Sequence, residues 1–110
     1  MGKLDAYRQI VERVLSQYAT LTPSYGEIKS QVVVDRANDH FLLMHLGWDC
    51  GRVHGCLVHV DLIGGKFWIQ RDGTEHGIAL ELEEAGVPKS DIVLAFKAPE
   101  VRPHTGYAVA

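Results

Sequence analysis

The sequence is poor in cysteine and lacks both a long apolar run and a cluster of basic residues. Its two cysteines, Cys50 and Cys56, form neither a C-x-x-C pair nor a zinc quartet, so we expect two reduced thiols, as is usual in the cytosol. The first residues contain no apolar signal region, and no apolar run approaches the ~20 residues that span a bilayer. A cytoplasmic protein without a membrane segment is therefore expected.

Charge argues against a protein that binds nucleic acid directly. The formal net charge is −3 with neutral histidine, and the lysines and arginines are scattered singly. Neutralising phosphates supplies most of the affinity of DNA-binding proteins, so strong direct DNA binding is not expected. A Gly-rich phosphate loop is also missing, because the Gly64-Gly65 pair is typical of a hairpin turn.

The hydrophobic pattern predicts one α+β domain over residues 1–110, a length that suits a single core. Apolar residues at helical spacing predict an amphipathic helix over residues 3–20, with Leu4 and Tyr7 at the start of its buried stripe. Short polar turns then separate four strands of an antiparallel meander. These strands are predicted over residues 28–36, 41–48, 53–63 and 66–71.

The second half of the chain predicts another helix and a last strand. Asp72 and Glu75 have the spacing of a capping box, so the second helix is expected to begin near them. Gly86 and Pro88 are placed to end it. A short fifth strand is predicted over residues 92–96, and the tail at residues 99–110 is expected to pack back on the body. Helices against an antiparallel sheet are the expected architecture.

Alternation along the strands divides the sheet into two faces, and the second face is predicted to be mostly apolar. Two helices can cover one face of such a sheet, so the second face needs cover from the C-terminal segment or from another chain. Tryptophan and methionine are enriched at protein interfaces. The predicted second face contains Leu42, Met44, Leu46, Trp48, Val53, Leu57, His59, Asp61, Trp68 and Gln70. The candidate interface residues are Trp48, Trp68, Met44, Leu46 and Leu57.

Six histidines raise the question of a metal site, for which His59, Asp61 and His54 are the candidates. Zinc needs three or four converging ligands, and the expected register places His54 on the opposite face from the other two. Strand histidines that satisfy a hydrogen bond are the simpler interpretation. Cys56 could neighbour His45 on one face, yet a mid-strand thiol among apolar residues is expected to be inert. We therefore predict no catalytic, metal or cofactor site.

One segment is more specific than composition, namely IQRDGTE at residues 69–75. Together with HLGW at residues 45–48 and TGYAVA at residues 105–110, it resembles the XisI family, the fdxN element excision controlling factors common in cyanobacteria. The resemblance covers nearly the whole chain. It implies a small α+β domain that takes part in excising a DNA element by site-specific recombination, encoded beside a XisH-like protein. It carries over no catalytic residues.

The leading hypothesis is an accessory controlling factor that acts by protein–protein binding, with a XisH-like protein as its expected partner and a second copy of the chain as another. A polar cluster where the helix cap meets the tail could take part in this binding. Its members would be Arg71, Asp72, Glu75, Arg102 and His104. Two alternatives stay open: a metal-dependent nuclease subunit that uses Asp61 and His59, and a homodimeric structural protein.

Overall fold

The computed structural model describes residues 2–20, 27–74 and 76–110. Its helices and strands follow the predicted order, and the predicted turn at residues 22–26 lies outside the described residues, as does Glu75. Short 3-10 turns at Lys89–Asp91 and Arg102–His104 flank the last strand. The elements are α1 (Lys3–Thr20), β1 (Glu27–Asp35), β2 (His40–Trp48), β3 (Arg52–Ile63), β4 (Lys66–Asp72), α2 (Ile78–Glu84) and β5 (Ile92–Leu94).

The strands form one sheet in the order β1-β2-β3-β4-β5, in which the first four make an antiparallel meander. The short β5 joins β4 in parallel, since α2 carries the chain back across the sheet. Gly64 and Gly65 both have positive φ, as a two-residue hairpin turn requires. Ala108 forms a single parallel bridge to Val93 beside β5. The predicted α+β architecture is confirmed.

Both helices cover the same face of the sheet, which we call the core face. Burying this many apolar side chains contributes most of the driving force for folding. Leu4, which the helical spacing predicts to be buried, is 41% exposed because it precedes the turn of α1 that reaches the sheet. The largest fully buried side chains are Phe41, Phe67, Leu15, Leu43, Ile69, Ile78, Leu82, Ile92, Val11, Val58, Val60 and Val93.

The start of α2 differs from the prediction. The helix begins at Ile78, and Gly77, with a positive φ of 96°, occupies the N-cap position. Asp72 still caps the helix, but it does so from the end of β4, where Oδ2 accepts a hydrogen bond from the Ile78 amide at 2.9 Å. At the other end, Gly86 has a φ of 103°, and its amide donates to the Glu83 carbonyl. The predicted glycine stop is therefore confirmed.

Two β-bulges change which side chains share a face. Between β2 and β3 the pairing steps from Leu43–Val58 to Met44–Cys56, which leaves Leu57 as an extra residue on β3. Leu57 packs against the core as a result. A second step between β3 and β4 leaves Gln70 as the extra residue.

The first bulge overturns part of the predicted face assignment. Val53, like Leu57, lies on the core face, because it pairs with Gly47 at a core-face position of β2. His54 and Cys56 move to the opposite face. The expected register assumed unbroken alternation, and one extra residue inverts every position on the far side of it.

Candidate functional site

The sheet face turned away from both helices is the candidate site, and we call it the open face. Its central residues Leu42, Met44 and Leu46 are half-buried, while Trp48 is 57% exposed. It is more polar than predicted, because the bulges bring hydrophilic side chains onto it. By register, the open face comprises Glu27, Lys29, Gln31, Val33, Asp35, His40, Leu42, Met44, Leu46, Trp48, Arg52, His54, Cys56, His59, Asp61, Ile63, Lys66, Trp68, Gln70 and Arg71.

The two tryptophans share the open face but stand at opposite ends of it. Trp68 pairs with Asp61, which pairs with His40 at the first residue of β2. Trp48 is the last residue of that nine-residue strand. At about 3.4 Å per residue, the strand separates the two rows by roughly 27 Å. They therefore form two sites rather than one patch, with the apolar centre between them.

An arginine side chain stacks on the ring of each tryptophan. The guanidinium carbon of Arg52 lies 5.2 Å from the centroid of the Trp48 ring, and that of Arg102 lies 5.7 Å from the Trp68 ring. Cation–π contacts of this kind contribute about 0.5–1 kcal/mol at exposed sites. The C-terminal segment thus shields Trp68, whereas Trp48 stays open beside a groove of about 380 Å³. The groove is lined by Glu27, Lys29, Ser30, Gln31, Leu46, Gly47, Trp48 and Arg52.

A group of polar side chains converges at the Trp68 end of the open face, and we call it the Asp61 cluster: Asp61, His40, His59 and Gln70. Asp61 is only 7% exposed, and it is the one buried charged residue in the part of the chain that the structure describes. Its Oδ1 lies 2.6 Å from His40 Nδ1 and 2.8 Å from His59 Nε2. Gln70 Nε2 donates to Oδ2 at 3.4 Å.

Asp61 determines which ring nitrogen of each histidine donates a hydrogen bond. An ionised carboxylate only accepts hydrogen bonds, so His40 donates from Nδ1 and His59 from Nε2. The hydrogen bond to Asp61 raises the pKa of His40 above its ordinary value, against the opposing effect of desolvation. These contacts offset the cost of burying the carboxylate.

Of the predicted metal candidates, the structure brings His59 and Asp61 together and leaves His54 apart. His54 is on the same face after all, but the Met44–Cys56 pair lies between it and His59. The sequence analysis did not identify His40, which is the third possible metal ligand beside His59 and Asp61 in the structure. Its position opposite Asp61 depends on the first bulge, because the turn at residues 49–51 alone would pair His40 with Val60.

The possible pairing of Cys56 with His45 is wrong. Cys56 pairs with Met44 on the open face, whereas His45 pairs with Gly55 on the core face. The Cys56 thiol donates to the Val58 carbonyl at 3.1 Å, and burial raises the pKa of the thiol. A protonated thiol is a weak nucleophile, in line with the prediction that it is inert.

The predicted polar cluster of cap and tail is not brought together. Asp72 faces α2, and Arg71 on the opposite face donates from Nε to the Cys56 carbonyl at 2.7 Å. Arg102 donates to the carbonyls of Ala95 and Lys97 in its own loop. Exposed His104 forms no hydrogen bond or ion pair with these residues in the described part of the chain. The fifth predicted member, Glu75, lies outside the described residues.

The chain is similar in sequence and in fold to known proteins. The model of the XisI protein family matches residues 1–109. The chain belongs to the XisI family. A solved XisI-like protein from Anabaena variabilis shares 36% identity and a TM-score of 0.88, with 97% of this chain and 99% of that one covered.

A second solved XisI structure, the fdxN element excision controlling factor XisI of Anabaena variabilis, is similar over its full length. It shares 32% identity and a TM-score of 0.84, with 99% of this chain and all of that one covered. Among curated proteins none matches significantly. The XisI membership predicted from the 69–75 segment is confirmed.

The structure shows what that XisI-like segment does in the fold. Gln70 supplies the second bulge, and Asp72 and Thr74 build the cap of α2, where Thr74 Oγ1 donates to Asp72 and accepts from the Gly77 amide. Gly73 donates to the Leu57 carbonyl at 2.8 Å, and a Cβ there would lie 2.7 Å from the Leu57 side chain. The segment thus joins the two bulges and α2.

Membrane insertion gains no support from the helices. Within residues 2–20, 27–74 and 76–110, neither helix has the length and apolar character that crossing a bilayer requires.

Proposed function

We propose that this protein is a controlling factor in the excision of a DNA element and that it acts by binding a protein partner. The observation that carries the proposal is the match over 99% of the chain to a protein named as the fdxN element excision controlling factor XisI. That match includes the whole sheet and both helices, so the open face is part of the shared fold.

The open face is the surface proposed to bind the partner. Met44 and Leu46 form an apolar centre that neither helix covers, and Trp48 is more than half exposed beside its groove. Tryptophan, methionine and arginine are the side chains enriched at protein interfaces, and Arg52 stacks on Trp48 there. The Trp48 end of the open face therefore supports a docking surface in which Trp48 is the aromatic anchor.

A XisH-like protein is the proposed partner, and a second copy of this chain is the competing occupant. Co-expression followed by pull-down and gel filtration distinguishes them. A complex of the two proteins supports the proposal, and a chain that elutes alone as a homodimer supports the competitor. Absence of any complex with the XisH-like protein would sink the proposed partner.

A matched pair of variants locates the interface. Trp48→Ala removes the proposed anchor and should weaken the complex by at least about tenfold, as anchor residues do. Phe96→Ala removes an aromatic residue of similar exposure outside the sheet and should leave the affinity within about twofold. Equal effects of both substitutions in a binding titration would place the interface elsewhere.

The proposed role needs no catalysis by this chain. The rival hypothesis of a metal-dependent nuclease subunit rests on Asp61 and His59, now joined by His40. One carboxylate is few for a nuclease, since metal-assisted phosphoryl transfer generally uses several to hold its ions. Incubating the protein with plasmid DNA and Mg²⁺, Mn²⁺ or Zn²⁺ tests this. Intact DNA favours the binding role, and cleavage that Asp61→Asn abolishes would establish the rival.

A further inference from the structure

Three potential metal ligands meet at one end of the open face. His40, His59 and Asp61 each offer a ligand atom, and these atoms all lie within 4.8 Å of one another. Around a tetrahedral zinc ion, ligand atoms about 2.1 Å from the metal are roughly 3.4 Å apart. The imidazole nitrogens are now 2.6 and 2.8 Å from Asp61 Oδ1, so small side-chain rotations would open the required space.

The backbone holds these side chains on rigid elements. His40 and Asp61 are direct cross-strand partners, and His59 precedes Asp61 by two residues on the same face. Ligands on neighbouring strands of one sheet are positioned more precisely than ligands on loops. Gln70, the extra residue of the second bulge, donates to Oδ2 at 3.4 Å, the carboxylate oxygen that the histidines leave free, as an outer-shell partner of a metal ligand does.

Burial and access are both suited to a bound ion. Asp61 is buried, so its charge is little screened, while the side chains of His40 and His59 are 46% and 34% exposed and leave an entry path. Trp68 and Leu42 pair with Asp61 and His59 and supply an apolar rim. Both imidazole rings point a nitrogen at the same carboxylate oxygen of Asp61. A metal ion between the three atoms could take the place of these two hydrogen bonds.

We propose that His40, His59 and Asp61 bind one divalent transition-metal ion, with Zn²⁺ the expected ion and a further coordination position open to solvent. Two imidazoles and one carboxylate suit zinc and its neighbours, whereas Mg²⁺ and Ca²⁺ prefer all-oxygen sites. Coordination needs the lone pairs of His40 Nδ1 and His59 Nε2, so in a neutral ring the proton moves to the other ring nitrogen, and an imidazolium releases one proton to the solvent. The proposal is independent of the proposed excision role.

A second group of possible ligands, His76, Glu81 and Glu84, provides an internal comparison. His76 Nε2 lies 3.4 and 3.5 Å from the two carboxylates, and both His76 and Glu84 are exposed. Exposed acidic groups near a histidine are common without an ion, so this group is a source of weak adventitious binding and not a proposed site.

The test is a Zn²⁺ titration of the chelator-treated full chain against a chromophoric competitor, repeated with Co²⁺ to record its ligand-field absorption. We expect one tightly bound ion per chain. His40→Gln and His59→Gln should each weaken binding by at least about tenfold and change the Co²⁺ spectrum. Glutamine keeps an amide donor for Asp61, so the fold should persist, and circular dichroism checks this.

Matched controls separate this site from incidental histidines. His54→Gln, on the same strand and face, and His76→Gln, in the exposed acidic group, should bind as the unsubstituted chain does. The proposal is overturned if the unsubstituted protein takes up no Zn²⁺, or if His76→Gln removes binding while His40→Gln does not. Should a glutamine variant unfold, Asp61→Asn provides the same Co²⁺ readout from the third ligand.

Discussion

Gly47, in β2, shows how one residue can set the spacing between two strands. Its φ is 154°, and a Cβ at this position would lie 1.8 Å from the Glu27 carbonyl oxygen. Neither backbone can move without breaking the β1–β2 ladder, which begins at the Glu27–Trp48 pair. Position 47, next to the exposed Trp48, therefore has no room for a side chain and requires glycine.

Gly47→Ala should lower the free energy of unfolding by about 2–4 kcal/mol, because the methyl group combines overpacking with backbone strain. Chemical denaturation measures the change. Gly55→Ala is the matched control, since a Cβ there meets nothing within 4 Å, and it should change stability little. Equal losses in both variants would refute the steric explanation.

Tyr7 connects α1 to the far end of the chain and carries a pH dependence. Its hydroxyl donates to Asp91, and burial followed by that contact raises the pKa of Tyr7 to about 12. The folded state thus favours the neutral phenol. The stabilisation is complete below the unfolded pKa of about 10 and is lost as pH rises from there through about 12.

Alkaline titration of the free energy of unfolding checks this. The unsubstituted protein should lose stability between pH 10 and about 12, and Tyr7→Phe should lose less over the same interval because it has no phenol to ionise there. Burial also raises the pKa of Tyr107 to about 12, but Tyr107 is present in both proteins, so the difference between them reports on Tyr7. Identical slopes would contradict the assignment.

At the scale of elements, α2 is short and depends on its cap. Seven residues form a marginal helix, and the N-cap position is a glycine without a side chain. Asp72 replaces the missing cap from the end of β4 by accepting hydrogen bonds from Ile78 and Thr74. The sheet and α2 are thereby coupled through a single carboxylate.

Asp72→Ala should lower the free energy of unfolding by about 1–2 kcal/mol, the usual loss for a helix cap. Asp49→Ala provides the control, because Asp49 is an exposed aspartate in the turn between β2 and β3. Thermal denaturation of the two variants measures the loss of stability in each. A loss for Asp49→Ala as large as for Asp72→Ala would show that the effect is one of net charge.

On the scale of the whole molecule, we expect the distribution of charge to disfavour direct binding to DNA. Several basic side chains are already paired, as in Arg8–Asp39 at 2.7 Å, Arg36–Glu12 at 3.0 Å and Lys3–Asp91 at 2.7 Å. The formal net charge of −3 adds a general repulsion from phosphate. The proposed mode of action, binding to another protein, needs no basic surface.

We expect this chain alone to bind duplex DNA with a dissociation constant weaker than about 100 µM at physiological salt. Fluorescence anisotropy with a labelled duplex measures it, and a lysine-rich protein of similar size serves as the positive control. Micromolar binding with a steep dependence on salt would contradict the expectation and reveal a phosphate-binding surface.

The sequence by itself determined the order of the elements, the single core and the family. The i, i+3, i+4 spacing of Tyr7, Val11 and Val14 predicted α1 within its observed bounds, and the Gly64-Gly65 turn defined one hairpin. These are local patterns, in which neighbouring residues determine the outcome. The resemblance to XisI rested on contiguous segments of the same kind.

Only the tertiary structure decided which side chains share the open face. Hydrophobic alternation has a period of two, so it does not register the extra residue that Leu57 adds to β3 or that Gln70 adds to β4. The first of these bulges places Cys56 on the open face and packs Leu57 against the core. The contact of His40 with Asp61 joins residues 21 positions apart, and it forms because the strand register brings them together.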